Sequence, residues 1–219
     1  MMNFNEARQN MVSQQIEPWA VSLRGVLDVF TAIPREMFIP PQYANLAYAD
    51  ISVPILNGQT MLPPKIIGRA LQALDIQPHE SVLEIGTGTG YATACLGRLA
   101  QQVTSIEILP ELVKIAKSNL DNTRESGNIV LVEGDGLEGY EPQAPYDAIL
   151  VTGAFPMGVP KSLLSQLKKN GRLFAFCGQP PAVRAILMTQ KEGPIETKEL
   201  FETVVPALIN APQPEKFVL

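Results

Sequence analysis

The sequence predicts an α/β fold in which a mostly parallel, doubly wound sheet carries an antiparallel hairpin near its C-terminal end. Short apolar runs alternate with helical patterns downstream of residue 78, which is typical of parallel βαβ units. A glycine-rich turn at 86–90 follows the first of these runs, and turn residues at 191–194 predict the hairpin. The composition of the 219 residues, 46% hydrophobic and 18% charged, is that of a globular domain and excludes disorder or a coiled coil.

Residues 1–77 are predicted to form a helical extension that proline interrupts. A first helix ends before Pro18 and a second ends at Pro34, because proline lacks the backbone amide and disfavours helix in the residue before it. An irregular stretch follows at 49–60. A third helix is predicted at 64–74, since its proline suits a first helical position and its apolar residues share one face.

Residues 78–209 are predicted to form the α/β unit, and 210–219 a loose tail with two prolines. The predicted strands are 81–85, 103–106, 128–133, 146–151 and 173–177, followed by the hairpin strands 182–189 and 199–205. The predicted helices are 91–100, 110–120 and 160–167, the last closed by Asn170-Gly171. We expect the three segments to pack as one compact unit.

The chain has one histidine and two cysteines, which limits the chemistry available to it. A hydrolase with a histidine base would depend on His79, which lies in a turn and is expected to be structural or exposed. No metal site is predicted, because Cys95, Cys177 and His79 are not at ligand spacing. Both cysteines lie in apolar runs and are expected to be buried free thiols.

Charge and apolar pattern narrow the expected partners and compartment. The net charge of −5 argues against a protein that binds nucleic acid by neutralising phosphates. No run approaches the roughly 18 apolar residues of a membrane helix, and residues 1–10 have no apolar signal core. We therefore expect a cytoplasmic protein with neither nucleic-acid nor membrane partners, while the sequence leaves its oligomeric state open.

A predicted strand, a turn with three glycines and a predicted helix follow one another at 81–100. Gly86, Gly88 and Gly90 permit a tight turn and a close backbone approach to a ligand. Such a turn lies at the carboxyl end of a strand, where open α/β sheets bind ligands. Taken alone, the glycines also fit a purely structural turn. Their alternate spacing differs from the dinucleotide pattern, in which the third glycine comes later.

Three carboxylates near this turn predict a nucleoside ligand. Glu107 lies 21 positions after Gly86, a separation at which an acidic residue accepts both hydroxyls of a ribose. Asp135, after the third strand, is placed to accept an adenine amino group. Glu84 is placed to meet the ammonium of an amino-acid ligand, directly or through water, or else to cap backbone amides. A ligand with amino acid, ribose and adenine is S-adenosylmethionine, and a dinucleotide oxidoreductase is disfavoured by the glycine spacing and the missing hydride-transfer acid–base pair.

Residues 82–91 resemble the first motif of class I S-adenosylmethionine-dependent methyltransferases, whose fold is Rossmann-like. More narrowly, the chain resembles the protein-L-isoaspartate O-methyltransferase family from about residue 11 to residue 206. The matching segments are Ile33-Pro34-Arg35, Phe38, Pro40, Ala47-Tyr48, Asp50, Pro54-Ile55, Gly58-Gln59-Thr60, Pro64, Ser105-Ile106-Glu107, Gly134-Asp135-Gly136, 144–149 and Val205-Pro206.

The resemblance implies a site for S-adenosylmethionine, with S-adenosylhomocysteine as product, and a substrate side formed with the helical extension. It assigns the cofactor to Glu84, Gly86, Thr87, Gly88, Gly90, Glu107, Ile108, Asp135 and Gly136. It assigns the substrate side to Asp50, Asn57, Gln59, Thr60, Leu62, Val205 and Pro206. Residues 57–60 are the expected lid and clamp, and isoaspartyl residues of damaged proteins are the expected acceptors.

One position departs from the family pattern. The family typically reads Gly-Gln-Thr-Ile-Ser-Gln-Pro, with the serine at the substrate carboxylate, whereas residues 58–64 read Gly-Gln-Thr-Met-Leu-Pro-Pro. Leu62 thus replaces a hydroxyl, and losing a charge-assisted hydrogen bond costs about 1.5–3 kcal/mol.

Three interpretations therefore stay open: an isoaspartyl methyltransferase, a methyltransferase with another acceptor, and a cofactor-binding protein with little activity. No certain catalytic residue is expected in the first case. A carboxylate has a pKa of about 4, so it is ionised at neutral pH and needs no general base. A chain with a single histidine is compatible with that chemistry.

Overall fold

The structure is a computed structural model that describes residues 3–214, and its elements follow the alternation seen in the sequence. The α-helices are α1 Phe4–Met11, α2 Arg24–Ala32, α3 Pro64–Leu74, α4 Tyr91–Leu99, α5 Pro110–Thr123 and α6 Lys161–Ser165. The strands are β1 Val53–Pro54, β2 Thr60–Met61, β3 Ser81–Ile85, β4 Gln102–Glu107, β5 Ile129–Glu133, β6 Tyr146–Phe155, β7 Leu167–Cys177, β8 Val183–Thr189 and β9 Glu196–Thr203.

Seven of these strands form one sheet in the order β5-β4-β3-β6-β7-β8-β9. The first five are parallel, whereas β8 and β9 are antiparallel, which confirms the predicted edge hairpin. The chain runs outward from β3 through β4 to β5 and then returns to the other side of β3. The strand order therefore reverses beside β3, and open α/β sheets bind ligands at the carboxyl end of such a switch point.

Both faces of the central strands are buried, which explains the apolar runs of these parallel strands. Along β6, Leu150 packs into one hydrophobic cluster, whereas Ile149 and Val151 pack into a second cluster on the opposite face. The N-terminal extension belongs to the first cluster through residues such as Phe30 and Leu71. The extension is thereby anchored on the sheet, while a domain boundary at 77/78 remains a prediction.

The N-terminal extension is helical but irregular. The predicted third helix is confirmed with its bounds, and α2 ends just before the proline that was predicted to stop it. Beyond α1 the chain continues as a π-helix at Val12–Ile16 and a 3-10 helix at Glu17–Trp19. Within the stretch predicted as irregular, β1 pairs with β2 across a turn that contains the 3-10 segment Leu56–Gly58.

The helix predicted at 160–167 is wrong in its length. It is the single turn α6, and Asn170-Gly171 lies inside β7 instead of closing a helix. The register passes from Tyr146 opposite Leu167 to Ala148 opposite Arg172, so the intervening residues form a bulge in β7. Asn170 has a φ of 63° and donates its amide to Gln190 across the sheet, so strand pairing overrides the helical pattern here.

Other predicted boundaries need smaller corrections. β6 extends to Phe155, four residues beyond its prediction, and β9 begins and ends earlier than 199–205. Cys95 is a buried free thiol as predicted, whereas the free thiol of Cys177 is half-buried at the end of β7. The tail predicted at 210–219 lies outside the described residues beyond Pro214. Within the described part of the chain, no helix combines the length and apolar character that crossing a membrane requires.

Candidate active site

A cleft opens at the carboxyl ends of β3, β4 and β5, beside the switch point of the sheet. Its lining comes from the sheet edge, the N-terminal extension and a late segment of the chain. The sheet edge contributes Ile85, Gly86, Gly88, Ile106, Glu107, Ile108, Leu112, Gly134, Asp135, Gly136, Leu137, Thr152 and Gly153. The other walls are Ile55, Gln59, Thr60, Leu62, Pro206, Ala207, Leu208 and Ile209.

The glycine turn after β3 has a backbone that side chains would not tolerate. Gly86 and Gly90 have φ values of +93° and +91°, in the left-handed region that favours glycine. A Cβ on Gly86 would lie 2.2 Å from Oγ1 of Thr152, whose hydroxyl donates to the Gly86 carbonyl at 2.7 Å. Gly86 and Gly88 line the cleft, while Gly90 begins α4 behind it.

The Glu107 carboxylate is held at the cleft by two backbone amides. Its Oε2 accepts from the Gly88 amide at 2.8 Å, and its Oε1 accepts from the Leu109 amide at 3.0 Å. Each oxygen keeps a further acceptor position for a ligand. Glu107 and Ile108 both line the cleft, so the structure brings this predicted pair together with the glycine turn.

Asp135 and Gly136 line the cleft after β5, as the prediction requires. Oδ1 of Asp135 accepts from the Leu137 amide and Oδ2 accepts from Nδ2 of Asn210, each at 3.0 Å. A Cβ on Gly136 would lie 3.0 Å from the Ile85 side chain, so glycine allows the loop to pack close to β3. The link to Asn210 was not predicted, because it joins residues 75 positions apart.

Glu84 does not line the cleft, which departs from the predicted ligand contact. Its side chain is fully buried, and its Oε2 accepts from Oγ1 of Thr93 at 2.5 Å and Oγ of Ser105 at 2.6 Å. Burial raises the pKa of Glu84 to about 7, and the two hydroxyl donors oppose that shift. Oε1 has no hydrogen-bond partner among residues 3–214. A role toward an ammonium group therefore stays a prediction for Glu84.

Thr87 does not line the cleft itself but lines a small recess beside it. Its hydroxyl is 2.6 Å from that of Ser105, so Thr87 joins the hydrogen-bonded group beneath the glycine turn. The turn is thus supported from below by polar contacts between β3, β4 and α4. Alternation along a strand with two buried faces does not reveal which face Glu84 takes, and a cofactor role for Thr87 stays a prediction from the family resemblance.

The predicted substrate side is only partly at the cleft. Gln59, Thr60 and Leu62 line it, and Leu62 is nearly buried with 6% of its surface exposed. Asp50 instead forms an ion pair with Lys65 at 2.5 Å. Asn57 is exposed at the tip of the β1–β2 turn, with a φ of 53°. The expectation that residues 57–60 act as a lid remains a prediction.

A late segment forms a wall that the sequence indicated only at its start. Val205 is buried in the core, whereas Pro206 lines the cleft together with Ala207, Leu208 and Ile209. This wall is fixed to the end of β6, where the Ala154 amide donates to the Pro206 carbonyl at 2.8 Å. A Cβ on Gly153 would lie 2.7 Å from the Leu208 side chain, so a small residue in β6 was the one available signal for this contact.

The polar groups that line the cleft are carboxylates, amides and hydroxyls. His79 is exposed in the turn before β3 and takes no part. Across residues 3–214, no group of three His, Cys, Asp or Glu side chains is arranged to hold a metal ion. The arrangement suits recognition of a nucleoside and positioning of a second reactant, since it offers hydrogen-bond acceptors at one end and an apolar wall at the other.

Comparison with known proteins places nearly the whole chain in one group. Residues 6–209 match the model of the protein-L-isoaspartate(D-aspartate) O-methyltransferase family. A protein-L-isoaspartate O-methyltransferase of Methanoculleus marisnigri is 42% identical over 190 residues, covering 87% of this chain and 86% of that relative. A relative of the same name from Gloeobacter violaceus is 38% identical over 205 residues and is covered over 99% of its length.

Solved structures agree with that placement. A protein-L-isoaspartate O-methyltransferase superposes with a TM-score of 0.79 at 27% identity, over 92% of this chain and 65% of that longer one. A second structure, named as a protein-L-isoaspartate O-methyltransferase from Plasmodium falciparum in complex with S-adenosyl-L-homocysteine, has a TM-score of 0.80. At 19% identity, with 95% of this chain and 99% of that chain covered, the second structure supports the fold.

Proposed function

The chain belongs to the protein-L-isoaspartate(D-aspartate) O-methyltransferase family, and we propose on that premise that its cleft brings a methyl donor and an isoaspartyl carboxylate together. The chain is a methyltransferase that depends on S-adenosylmethionine and esterifies isoaspartyl residues of proteins. The observation that supports this proposal is the arrangement of the cleft. Hydrogen-bond acceptors for a nucleoside lie on the sheet edge, and the N-terminal extension forms the opposite wall.

The residues at the sheet edge fit S-adenosylmethionine. Gly134 has open space where a Cβ would lie, so the backbone there leaves room for a ligand. Glu107 offers a fixed carboxylate for two ribose hydroxyls, and Asp135 offers one for an adenine amino group. Gly86 and Gly88 allow the turn to approach the amino-acid portion closely. When bound, the cofactor supplies an electrophilic sulfonium methyl group.

On the acceptor side, the chain has to orient a carboxylate and exclude water. The acceptor is already ionised at neutral pH, so no residue needs to remove a proton. Catalysis then comes from proximity and orientation of two reactants held in one cleft. Gln59 and Thr60 are hydrogen-bond donors on the wall opposite the sheet edge, and we assign Gln59 to the acceptor.

A methyl-transfer assay tests this function. The purified chain is incubated with methyl-labelled S-adenosylmethionine and either an isoaspartyl peptide or the same peptide with an ordinary aspartyl residue. We expect label to enter the isoaspartyl peptide as a base-labile ester and the aspartyl peptide to remain unlabelled. Binding of S-adenosylhomocysteine without transfer to the isoaspartyl peptide would contradict the proposed acceptor.

Leu62 favours a second candidate, a methyltransferase of the same fold with a different acceptor. An isobutyl side chain at the cleft wall accommodates an apolar group, whereas a serine there would donate a hydrogen bond to a carboxylate. A screen of unrelated carboxylate and hydroxyl acceptors with the same labelled donor separates the two candidates. Transfer to such an acceptor at a higher kcat/KM than to the isoaspartyl peptide would favour the second.

A further inference from the structure

A small recess continues the cleft inward between the extension and the glycine turn. Its volume is about 50 Å³, which is room for a carboxylate group or one or two water molecules. The residues that line both the cleft and this recess include Thr60, Leu62 and Gly88, so the two are continuous. Arg35, Thr89 and Tyr91 are among the residues that line the recess but not the cleft.

Unsatisfied polar atoms are concentrated around this recess. Among residues 3–214, seven buried side-chain nitrogen or oxygen atoms have no hydrogen-bond partner. Four of the seven belong to residues that line the recess: Nη1 of Arg35, Oγ1 of Thr60, Oγ1 of Thr89 and the hydroxyl of Tyr91. Buried polar groups in folded proteins are nearly always paired, so a cluster of unpaired donors indicates a missing acceptor.

Arg35 is the strongest of these groups because its charge has no counter-ion in the described chain. Its side chain has no exposed surface, and no carboxylate within residues 3–214 forms an ion pair with it. Two of its nitrogens are used structurally: Nε donates to the Ala47 carbonyl and Nη2 to the Leu62 carbonyl, both at 2.8 Å.

These two hydrogen bonds to backbone carbonyls leave Nη1 of Arg35 without a partner and its positive charge without a counter-ion in the described part of the chain. The guanidinium lies over the Tyr91 ring, 4.7 Å from its centroid, which offsets part of the desolvation cost. Burial lowers the pKa of Arg35, yet a guanidinium stays protonated in proteins. A buried charge with one free donor requires an anion to be fully compensated.

We propose that this recess is a carboxylate subsite, in which Nη1 of Arg35 and the hydroxyls of Thr60 and Thr89 bind the carboxylate of one reactant. The proposal rests on the proposed function, which provides two carboxylate sources: the amino-acid end of the methyl donor and the acceptor residue. Under the proposed function both sources would lie in the cleft, and the recess adjoins that cleft. Arg35 then positions a reactant as well as the wall segment that carries Leu62.

Matched ligand pairs test the subsite without any need for turnover. One pair is S-adenosylhomocysteine and its analogue that lacks only the carboxylate. The other pair is an isoaspartyl peptide and the same peptide in which the free carboxyl group of the isoaspartyl residue is replaced by a carboxamide. This pair is titrated at saturating S-adenosylhomocysteine. Calorimetry gives Kd for each ligand with the wild-type chain, with Thr89→Val and Arg35→Lys, and with the distant control Thr123→Val, whose hydroxyl bonds within α5.

We expect the wild type to prefer the carboxylate ligand in one pair, and Thr89→Val to reduce that preference about tenfold. Arg35→Lys reduces the same preference by tenfold or more, because lysine cannot reproduce the fork of the guanidinium. The pair that responds identifies the source of the carboxylate. Thr123→Val leaves both preferences within about twofold of wild type.

Two results would overturn the subsite. In one, Thr89→Val weakens both members of each pair equally, which is the behaviour of a residue that only supports the fold. In the other, neither variant alters either preference, so that the recess holds water alone. Thr89→Val leaves no unpaired charge behind, and it decides the matter even if Arg35→Lys does not fold. If the wild-type chain does not transfer a methyl group to the isoaspartyl peptide, the proposed function is wrong. The ratios of Kd values within each ligand pair still test the subsite in that case.

Discussion

The two sides of the cleft are built differently. The donor side, which we assign to the methyl donor, is the carboxyl edge of β3, β4 and β5. Parallel pairing and glycine turns set the positions of the cofactor-binding residues there. The acceptor side consists of short, irregular segments, and Arg35 and the end of β6 hold them through bonds to backbone carbonyls. We therefore expect the donor side to be more sensitive to a change of shape at its glycines than the acceptor side is to a substitution at Leu62.

The largest expected effect is on the donor side, at the glycine turn. In Gly86→Ala the added Cβ would meet Oγ1 of Thr152 at 2.2 Å and the residue would keep a φ of +93°. Such strain costs about 1–3 kcal/mol, so we expect affinity for S-adenosylhomocysteine to fall up to about 100-fold in calorimetry. Gly127→Ala is the matched control, because a Cβ there meets open space at an ordinary φ. Unchanged affinity in Gly86→Ala would show that the turn is not rigid.

A smaller loss is expected when the donor side keeps its shape but loses a charge. Glu107→Gln replaces the carboxylate that accepts from Gly88 and Leu109 with a neutral amide of similar size. We expect the Kd of S-adenosylhomocysteine to rise by about tenfold to 30-fold, since a charge-assisted hydrogen bond is lost. Glu111→Gln, on the exposed face of α5, is the control and should leave Kd unchanged. Equal effects of the two variants would mean that Glu107 acts only through net charge.

On the acceptor side a substitution should raise activity. Leu62→Ser restores a hydroxyl at the cleft wall, and we expect kcat/KM for an isoaspartyl peptide to rise roughly tenfold. Leu62 is nearly buried, so the same change should lower the free energy of unfolding by about 2–4 kcal/mol. Leu62→Ala creates a similar cavity without a hydroxyl and is the control. A rise in both variants would attribute the gain to space and not to a hydrogen bond.

The smallest expected effect concerns Glu84, below the glycine turn. The folded state raises its pKa to about 7 from an unfolded value of about 4.3, so between these values the folded chain holds more protons. Stability from this group is therefore present at low pH and is lost as pH rises through 7. We expect the free energy of unfolding in urea to fall by about 1 kcal/mol more between pH 6 and pH 8 in wild type than in Glu84→Gln. Parallel profiles for the two proteins would contradict the raised pKa.

The same division explains what could be predicted from sequence. α3 and β3 have their predicted bounds, because periodicity and proline position determine them locally. The spacing from Gly86 to Glu107 placed the carboxylate at the cleft, since adjacent parallel strands end at one edge.

Other features depend on contacts that no local pattern carries. Glu84 lies on a strand with two buried faces, so alternation did not show that it points away from the cleft. Leu208 reaches the cleft only because its segment pairs with Ala154, and Arg35 is buried without a sequence signal for burial. These three positions are determined by packing between segments that are distant in the sequence.

The most direct measurement of the separation between donor and acceptor sides uses two variants and two constants. For Glu107→Gln and Leu62→Ser, the Kd of S-adenosylhomocysteine and the KM of an isoaspartyl peptide are determined under identical conditions. We predict that Glu107→Gln raises the Kd with little change in the KM, and that Leu62→Ser lowers the KM with the Kd unchanged. If both variants shift both constants by similar factors, the two sides do not act separately and this account of the cleft is wrong.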